Sequence, residues 1–190
     1  LGSKSVAIGQ AALESQNFTT ATDAYNVAVG NNAGGAVTTG TGNTLIGSQA
    51  GDSLTSGINS TFVGFLAGST VSTGTNNTFV GQGAGAATTG SYNNFFGAGD
   101  GTAAGNLLTT GSKNTILGGY NGNQDSLDIR ASDNNIVLSD GDGVPRLLIN
   151  DNGDVTNNAG NLDSHSNQNI GFNFRKASGA CFSAGSVTPV

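Results

Sequence analysis

Apolar and polar positions alternate in short bursts along this chain, and each burst closes on a glycine. Ser5-Val6-Ala7-Ile8-Gly9, Asn26-Val27-Ala28-Val29-Gly30 and Asn43-Thr44-Leu45-Ile46-Gly47 are followed by Ser60-Thr61-Phe62-Val63-Gly64, Asn77-Thr78-Phe79-Val80-Gly81, Asn93-Asn94-Phe95-Phe96-Gly97 and Asn114-Thr115-Ile116-Leu117-Gly118. The closing glycines advance by 21, 17, 17, 17, 16 and 21 residues. A second mark, Gly40, Gly57, Gly74, Gly90 and Gly111, advances by 17, 17, 16 and 21 in the same phase. Alternation within each core has a period of 2 and predicts a strand. Helix is excluded, because a glycine or β-branched residue interrupts every window long enough for a few turns.

A repeat near 17 residues is too short for a helical hairpin or a propeller blade and carries too few apolar residues to hold itself together. It fits a coil of two short strands and two tight turns, with Ala33-Gly34, Ala50-Gly51, Ala67-Gly68 and Ala84-Gly85 opening the return path. The predicted fold is therefore all-β, a β-solenoid or β-roll of about seven coils of 16 to 21 residues, stacked at roughly 4.8 Å per coil into a rod about 34 Å long. Ile8, Val29, Ile46, Val63, Val80, Phe96 and Leu117 are assigned to the interior row, and Ala7, Ala28, Leu45, Phe62, Phe79, Phe95 and Ile116 to the opposite face. On a lone solenoid that second row would be an apolar stripe of a size monomers rarely expose. Phe62, Phe79, Phe95 and Ile116 are thus the trimer-interface candidates, with three copies of the chain burying three stripes around an axis. The alternative is a coil flat enough to enclose both rows.

The repeat array spans residues 1 to 122, with the period stretched in Glu14 to Tyr25 and in Thr102 to Leu108. Residues 123 to 155 read as a β-hairpin cap or shoulder: Asn134 to Asp140 and Arg146 to Asn150 are strands around Gly141-Asp142-Gly143-Val144-Pro145, and Asp151-Asn152-Gly153-Asp154 is a second turn. Residues 156 to 190 read as loops and short strands, Asn169 to Arg175 and Ala180 to Phe182, that pair between subunits.

Composition narrows the function. With 32 Gly, two Pro and 9% charged residues the chain is low in complexity, yet its strict period argues against disorder. Asn and Ser/Thr beside the glycines suit turns, and stacked Asn side chains can form hydrogen-bonded ladders. A net charge of −6 leaves no basic patch to track phosphates, so nucleic acid is not an expected partner. One cysteine, Cys181, forms no intrachain disulfide and reads as a small hydrophobe. No apolar run is long enough for a membrane span, and no signal peptide is visible. The absence of Met suggests a fragment or processed product.

The N-terminal cores, Ser5 to Ala12 and Asn26 to Ala33, resemble the head repeats of trimeric autotransporter adhesins. The later Asn-Thr-Phe-Val-Gly cores, with the hairpin from Asn134 to Val155, resemble bacteriophage tail-fibre proteins, in which such repeats often precede a C-terminal intramolecular chaperone. The adhesin repeat is shorter and more regular, its coiled-coil stalk and membrane anchor are not visible, and no chaperone domain is seen. The tail-fibre resemblance implies a homotrimeric virion component that contributes to host attachment. Its partners would be copies of itself, other tail or fibre proteins, and a host surface glycan or outer-membrane component. The adhesin resemblance implies the bacterial cell surface instead.

Candidate chemistry is sparse, and no cofactor is expected. Glutamate occurs once, at Glu14, so a catalytic pair would need Asp140 with Asp142 or Asp151 with Asp154, and both pairs sit in turns where aspartate is expected for conformational reasons. The lone His165 lies between serines and reads as a loop residue. Gly118 to Asp128 resembles a single calcium-binding glycine-rich nonapeptide with an extra residue, which makes Asp125 and Asp128 weak calcium candidates. Thr38-Thr39, Thr88-Thr89 and Thr109-Thr110 could form a threonine ladder of ice-binding type. No aromatic cluster in the sequence picks out a sugar.

Overall fold

In the computed structural model, residues 2–99 and 101–156 are described. Strands β1 (Gly2–Ser3), β2 (Val6–Ile8), β3 (Thr22–Asp23), β4 (Val27–Val29), β5 (Thr44–Ile46), β6 (Thr61–Val63) and β7 (Thr78–Val80) are followed by β8 (Asn94–Phe96), β9 (Thr115–Leu117), β10 (Asn123–Gln124), β11 (Leu127–Asp128), β12 (Ile136–Ser139), β13 (Pro145–Ile149) and β14 (Val155–Thr156). The predicted cores become β2 and β4 to β9, three residues each, stacked parallel and in register to form a β-solenoid. Each coil contributes one strand to the stack, where two were expected, and the rest of the coil is turn. β12 pairs parallel with β9 and is an eighth rung, so the stack continues beyond residue 122. β12 also pairs antiparallel with β13, and β13 with β14, which ends the parallel run.

The two side-chain rows are reversed from the sequence assignment. From β4 onward the middle residue of each stacked strand points inward: Ala28, Leu45, Phe62, Phe79, Phe95, Ile116 and Val137 are fully buried within the single chain. The other row faces out, with Ile8 59% and Leu117 54% exposed. Phe62, Phe79, Phe95 and Ile116 are therefore core residues and are not available to a neighbouring subunit along this face. The cause is the narrowness of the coil, which admits only one residue of each three-residue strand. Largest side chains enter there because each fully buried Phe gains about 1.5–3 kcal/mol from leaving water. Phe62 stacks on Phe79 and Phe79 on Phe95, both at 4.9 Å between centroids, a spacing close to the rise of the coils.

The remainder of the core is equally regular. One coil buries Asn43, Leu45, Ala50 and Leu54, and another buries Asn77, Phe79, Ala84 and Thr88. From the second to the sixth coil this position is alanine followed by glycine. Gly85 sits at φ +61°, where a Cβ would fall 2.5 Å from the Phe79 ring. Tyr120 replaces the alanine in the seventh coil, and its hydroxyl reaches past the core to donate to the Leu127 carbonyl at 2.8 Å.

Asparagine forms the predicted ladder, on the inner side of the turn before each strand. Asn43 Nδ2 donates to the Gly57 carbonyl at 2.9 Å, and Asn43 Oδ1 accepts the Ser60 N–H at 3.0 Å. Asn77, Asn93 and Asn114 repeat both contacts: Nδ2 reaches Gly90 O, Gly111 O and Ser132 O, while Oδ1 receives the N–H of Asn93, Asn114 and Asn135. These bonds satisfy buried backbone groups that the short strands leave without a ladder partner. Serine stands in for asparagine at Ser5, in the first coil, and at Ser60, the one internal exception. The Ser60 hydroxyl accepts the Asn77 N–H at 3.3 Å but supplies no amide to the next coil.

The second insertion lies earlier than predicted. The Ala104 N–H donates to Gly97 O at 3.2 Å as Ala84 N–H does to Gly81 O, and Leu108 N–H donates to Gly105 O at 3.0 Å as in shorter coils. Residues 104 to 108 are thus regular, and the extra residues fall within 98 to 103. A further insertion, in the seventh coil, is the β10–β11 hairpin, turned through Asp125 and Ser126 at φ +48° and +65°. His165, Cys181 and the strands expected at 169 to 175 and 180 to 182 lie outside the described residues.

Candidate binding surfaces

The outward face of the parallel sheet is formed by the first and third residues of each rung. Valine, isoleucine, threonine or asparagine precedes the core residue and Ile8, Val29, Ile46, Val63, Val80, Phe96, Leu117 or Leu138 follows it, so no charged side chain interrupts eight rungs. This face is flat in sequence terms and apolar along one edge. Ile8, Ile46, Phe96, Leu117 and Leu138 are each more than a third exposed. Over eight rungs it makes a stripe about 34 Å long and one three-residue strand, about 10 Å, wide.

A second surface was not legible from the sequence. Immediately before the asparagine of each coil the backbone turns left-handed: Lys4, Tyr25, Gly42, Asn59, Asn76, Tyr92, Lys113 and Asn134 have φ between 52° and 70°. They form one column, and from Gly42 onward each N–H donates one coil back, as Tyr92 to Thr75 O at 2.9 Å and Lys113 to Ser91 O at 3.0 Å. Glycine and asparagine tolerate this conformation, whereas a bulky residue there is an outlier. Tyr25 and Tyr92 nevertheless hold it, 56% and 55% exposed. The Tyr25 hydroxyl donates to Asp23 Oδ2 at 3.2 Å, and Lys4 Nζ donates to both, at 2.6 Å to Asp23 and 3.3 Å to the tyrosine. Lys4 Nζ also stands 5.3 Å from the Tyr25 ring centroid, and its bond to Asp23 raises its pKa. The signal that could have shown this column is the residue two before each strand, a position the strand pattern passes over.

The predicted chemical candidates are engaged in local structure. Asp128 accepts from Arg130 Nε at 2.9 Å and Nη2 at 2.7 Å, and the guanidinium holds its carboxyl at about 2. Asp125 heads the hairpin turn. Among the described residues no three His, Cys, Asp or Glu side chains come together as a metal site. Asp140 Oδ1 accepts the N–H of Asp142 and Val144 while Oδ2 pairs with Arg146, which lowers its pKa. In the next turn Asn150 Oδ1 receives the N–H of Asn152 and Asp154. Of the turn threonines, Thr38 donates its hydroxyl to Thr55 O, Thr89 to Thr109 O and Thr109 to Arg130 O, all at 3.1 Å, so these hydroxyls bond the next coil's backbone. No described helix is long and apolar enough to cross a membrane.

The fold defines a β-solenoid repeat protein. Set against family models, curated proteins and solved structures, the chain matches none of them.

Proposed function

We propose that this chain is a structural segment of a homotrimeric fibre of the bacteriophage tail-fibre type, contributing to host recognition and attachment without catalysis. The observation that carries the reading is the outward sheet face, uncharged over eight rungs in a chain of net charge −6. Its area, a few hundred Å², is of the size at which an exposed apolar patch commonly marks an interaction site. Copies that repel elsewhere meet there at no electrostatic cost, and three such stripes around one axis bury one another. Ile8, Ile46, Val80, Phe96 and Leu117 take the interface role, in place of the buried phenylalanine row. The antiparallel β12–β13–β14 segment then acts as the cap of the stack, and other fibre proteins adjoin the segment along its axis. A host surface glycan or outer-membrane component is the attachment ligand, held by repeated weak contacts from equivalent subunits.

Light scattering on the purified chain tests the assembly. The expected mass is near three times 18.7 kDa, and Val80→Lys with Phe96→Lys should reduce it to one chain while the strand signal in circular dichroism is kept. A monomeric mass for the unaltered chain would overturn the fibre reading.

A further inference from the structure

We propose that the left-handed column carrying Tyr25, Asn59, Asn76 and Tyr92 is a binding edge for an extended neutral polysaccharide. The inference takes its ligand class from the attachment role above and adds the site. Strain is its starting point. Column members elsewhere are mostly glycine, asparagine or lysine, and asparagine occupies three coils without difficulty. Two exposed tyrosines at φ +52° and +62° bury neither ring, and the contacts of Tyr25 with Lys4 and Asp23 are themselves exposed. Strained positions of this kind cluster at ligand sites, where the surroundings hold them for a purpose.

The surroundings do hold Tyr25. Lys4 stands over one face of its ring, and Asp23 fixes its hydroxyl, so the ring is oriented before any ligand arrives. Tyr92 lies four coils further along, roughly 19 Å at the rise of a stacked strand. Between them Asn59 and Asn76 offer amides, which donate and accept, at steps of one coil. A flat ring at each end and amides between match the alternating apolar faces and hydroxyl edges of a pyranose chain, whose repeat is close to one coil. Charge selects among polysaccharides. Lys4 is neutralised by Asp23, and the chain as a whole is acidic, so a neutral chain is favoured over an anionic one.

The test is affinity electrophoresis of the full chain in native gels containing dextran, mannan, galactomannan or a mixed-linkage β-glucan. Tyrosine fluorescence is followed in parallel with the soluble oligosaccharides of the retarding polymer. The chain has three tyrosines and no tryptophan, and Tyr120 is buried, so any change reports Tyr25 or Tyr92. The expected result is retardation by at least one polymer, weakened about tenfold by Tyr25→Asn or by Tyr92→Asn and abolished by both. Asparagine is the residue this column already accepts, so Tyr92→Asn should melt no lower than the parent, and Tyr25→Asn, which gives up only exposed contacts to Lys4 and Asp23, should keep the parent's circular dichroism, which separates lost binding from lost fold. Retardation that the double variant retains overturns the site and leaves the attachment role standing. No retardation of the unaltered chain by any of the four overturns the site together with a neutral-glycan attachment role.

Discussion

Ser60→Asn should stabilise this protein, because it would complete the one internal rung at which the asparagine ladder is interrupted. At Asn43 and Asn77, on either side, the amide donates to a glycine carbonyl of the next coil at 2.9 Å. The equivalent acceptor for position 60 is the buried Gly74 carbonyl, which receives no side-chain amide. Gly57 and Gly74 carry no side chain to obstruct an asparagine, as at the neighbouring rungs. The substitution exchanges the 3.3 Å bond from the Ser60 hydroxyl to the carbonyl of exposed Ile58 for one to the buried Gly74 carbonyl, worth about 0.5–1.5 kcal/mol, and replaces the 3.3 Å contact between Asn77 N–H and Ser60 Oγ with one near 2.9 Å. Ordering the longer side chain costs less than about 1 kcal/mol. The net gain is about 0.5 kcal/mol, or roughly 1–2 °C in melting temperature for a chain of this size. The reverse change, Asn77→Ser, removes the amide from the buried Gly90 carbonyl and should cost about 1–3 kcal/mol. Both are read by thermal and urea unfolding followed by circular dichroism. A Ser60→Asn variant that melts lower, or an Asn77→Ser variant that melts unchanged, would refute the claim that these side chains satisfy the turn backbone.

The other expectations concern the core and its titrating neighbours. Phe79→Ala should destabilise by about 3–5 kcal/mol in urea unfolding, since it empties the middle of a three-ring stack. Burial pushes the Tyr120 hydroxyl up, so its contribution is intact below its ordinary pKa near 10 and is lost as pH rises further. Tyr120→Phe should flatten that alkaline loss in a pH series of melts, while forfeiting about 1 kcal/mol for the bond to Leu127 O. Asp128, held at about 2 by Arg130, contributes stability above the ordinary carboxylate pKa, near 4, that disappears as pH falls toward 2. Asp128→Asn should make the acid limb shallower, by an amount that shrinks with added salt because the pair is exposed.

The stacked strands were legible because glycine, asparagine and a period of 2 recur in one phase, and every one of the seven predicted cores became a rung. Which row faces in was not settled by alternation alone. The clue was parity: Thr44, Thr61, Thr78 and Thr115 fall on the same side as Ile46, Val63, Val80 and Leu117, and a row sharing its face with threonine is the wetter one. The eighth rung was hidden because β12 closes on Ser139 in place of glycine and belongs to two kinds of pairing at once. The tyrosine column was hidden for another reason. Its residues belong to turns, and only the observed backbone shows that Tyr25 and Tyr92 occupy the same left-handed position several coils apart.

The insertions within 14 to 25, 98 to 103 and 123 to 128 leave the rungs in register, from Ala7 opposite Ala28 to Ile116 opposite Val137. Height along the axis is therefore counted in coils, and residues in excess of the core word add girth without adding length. The molecule is a ruler graduated at one strand spacing. Its loops can be lengthened or exchanged at any graduation, and every mark above and below keeps its place.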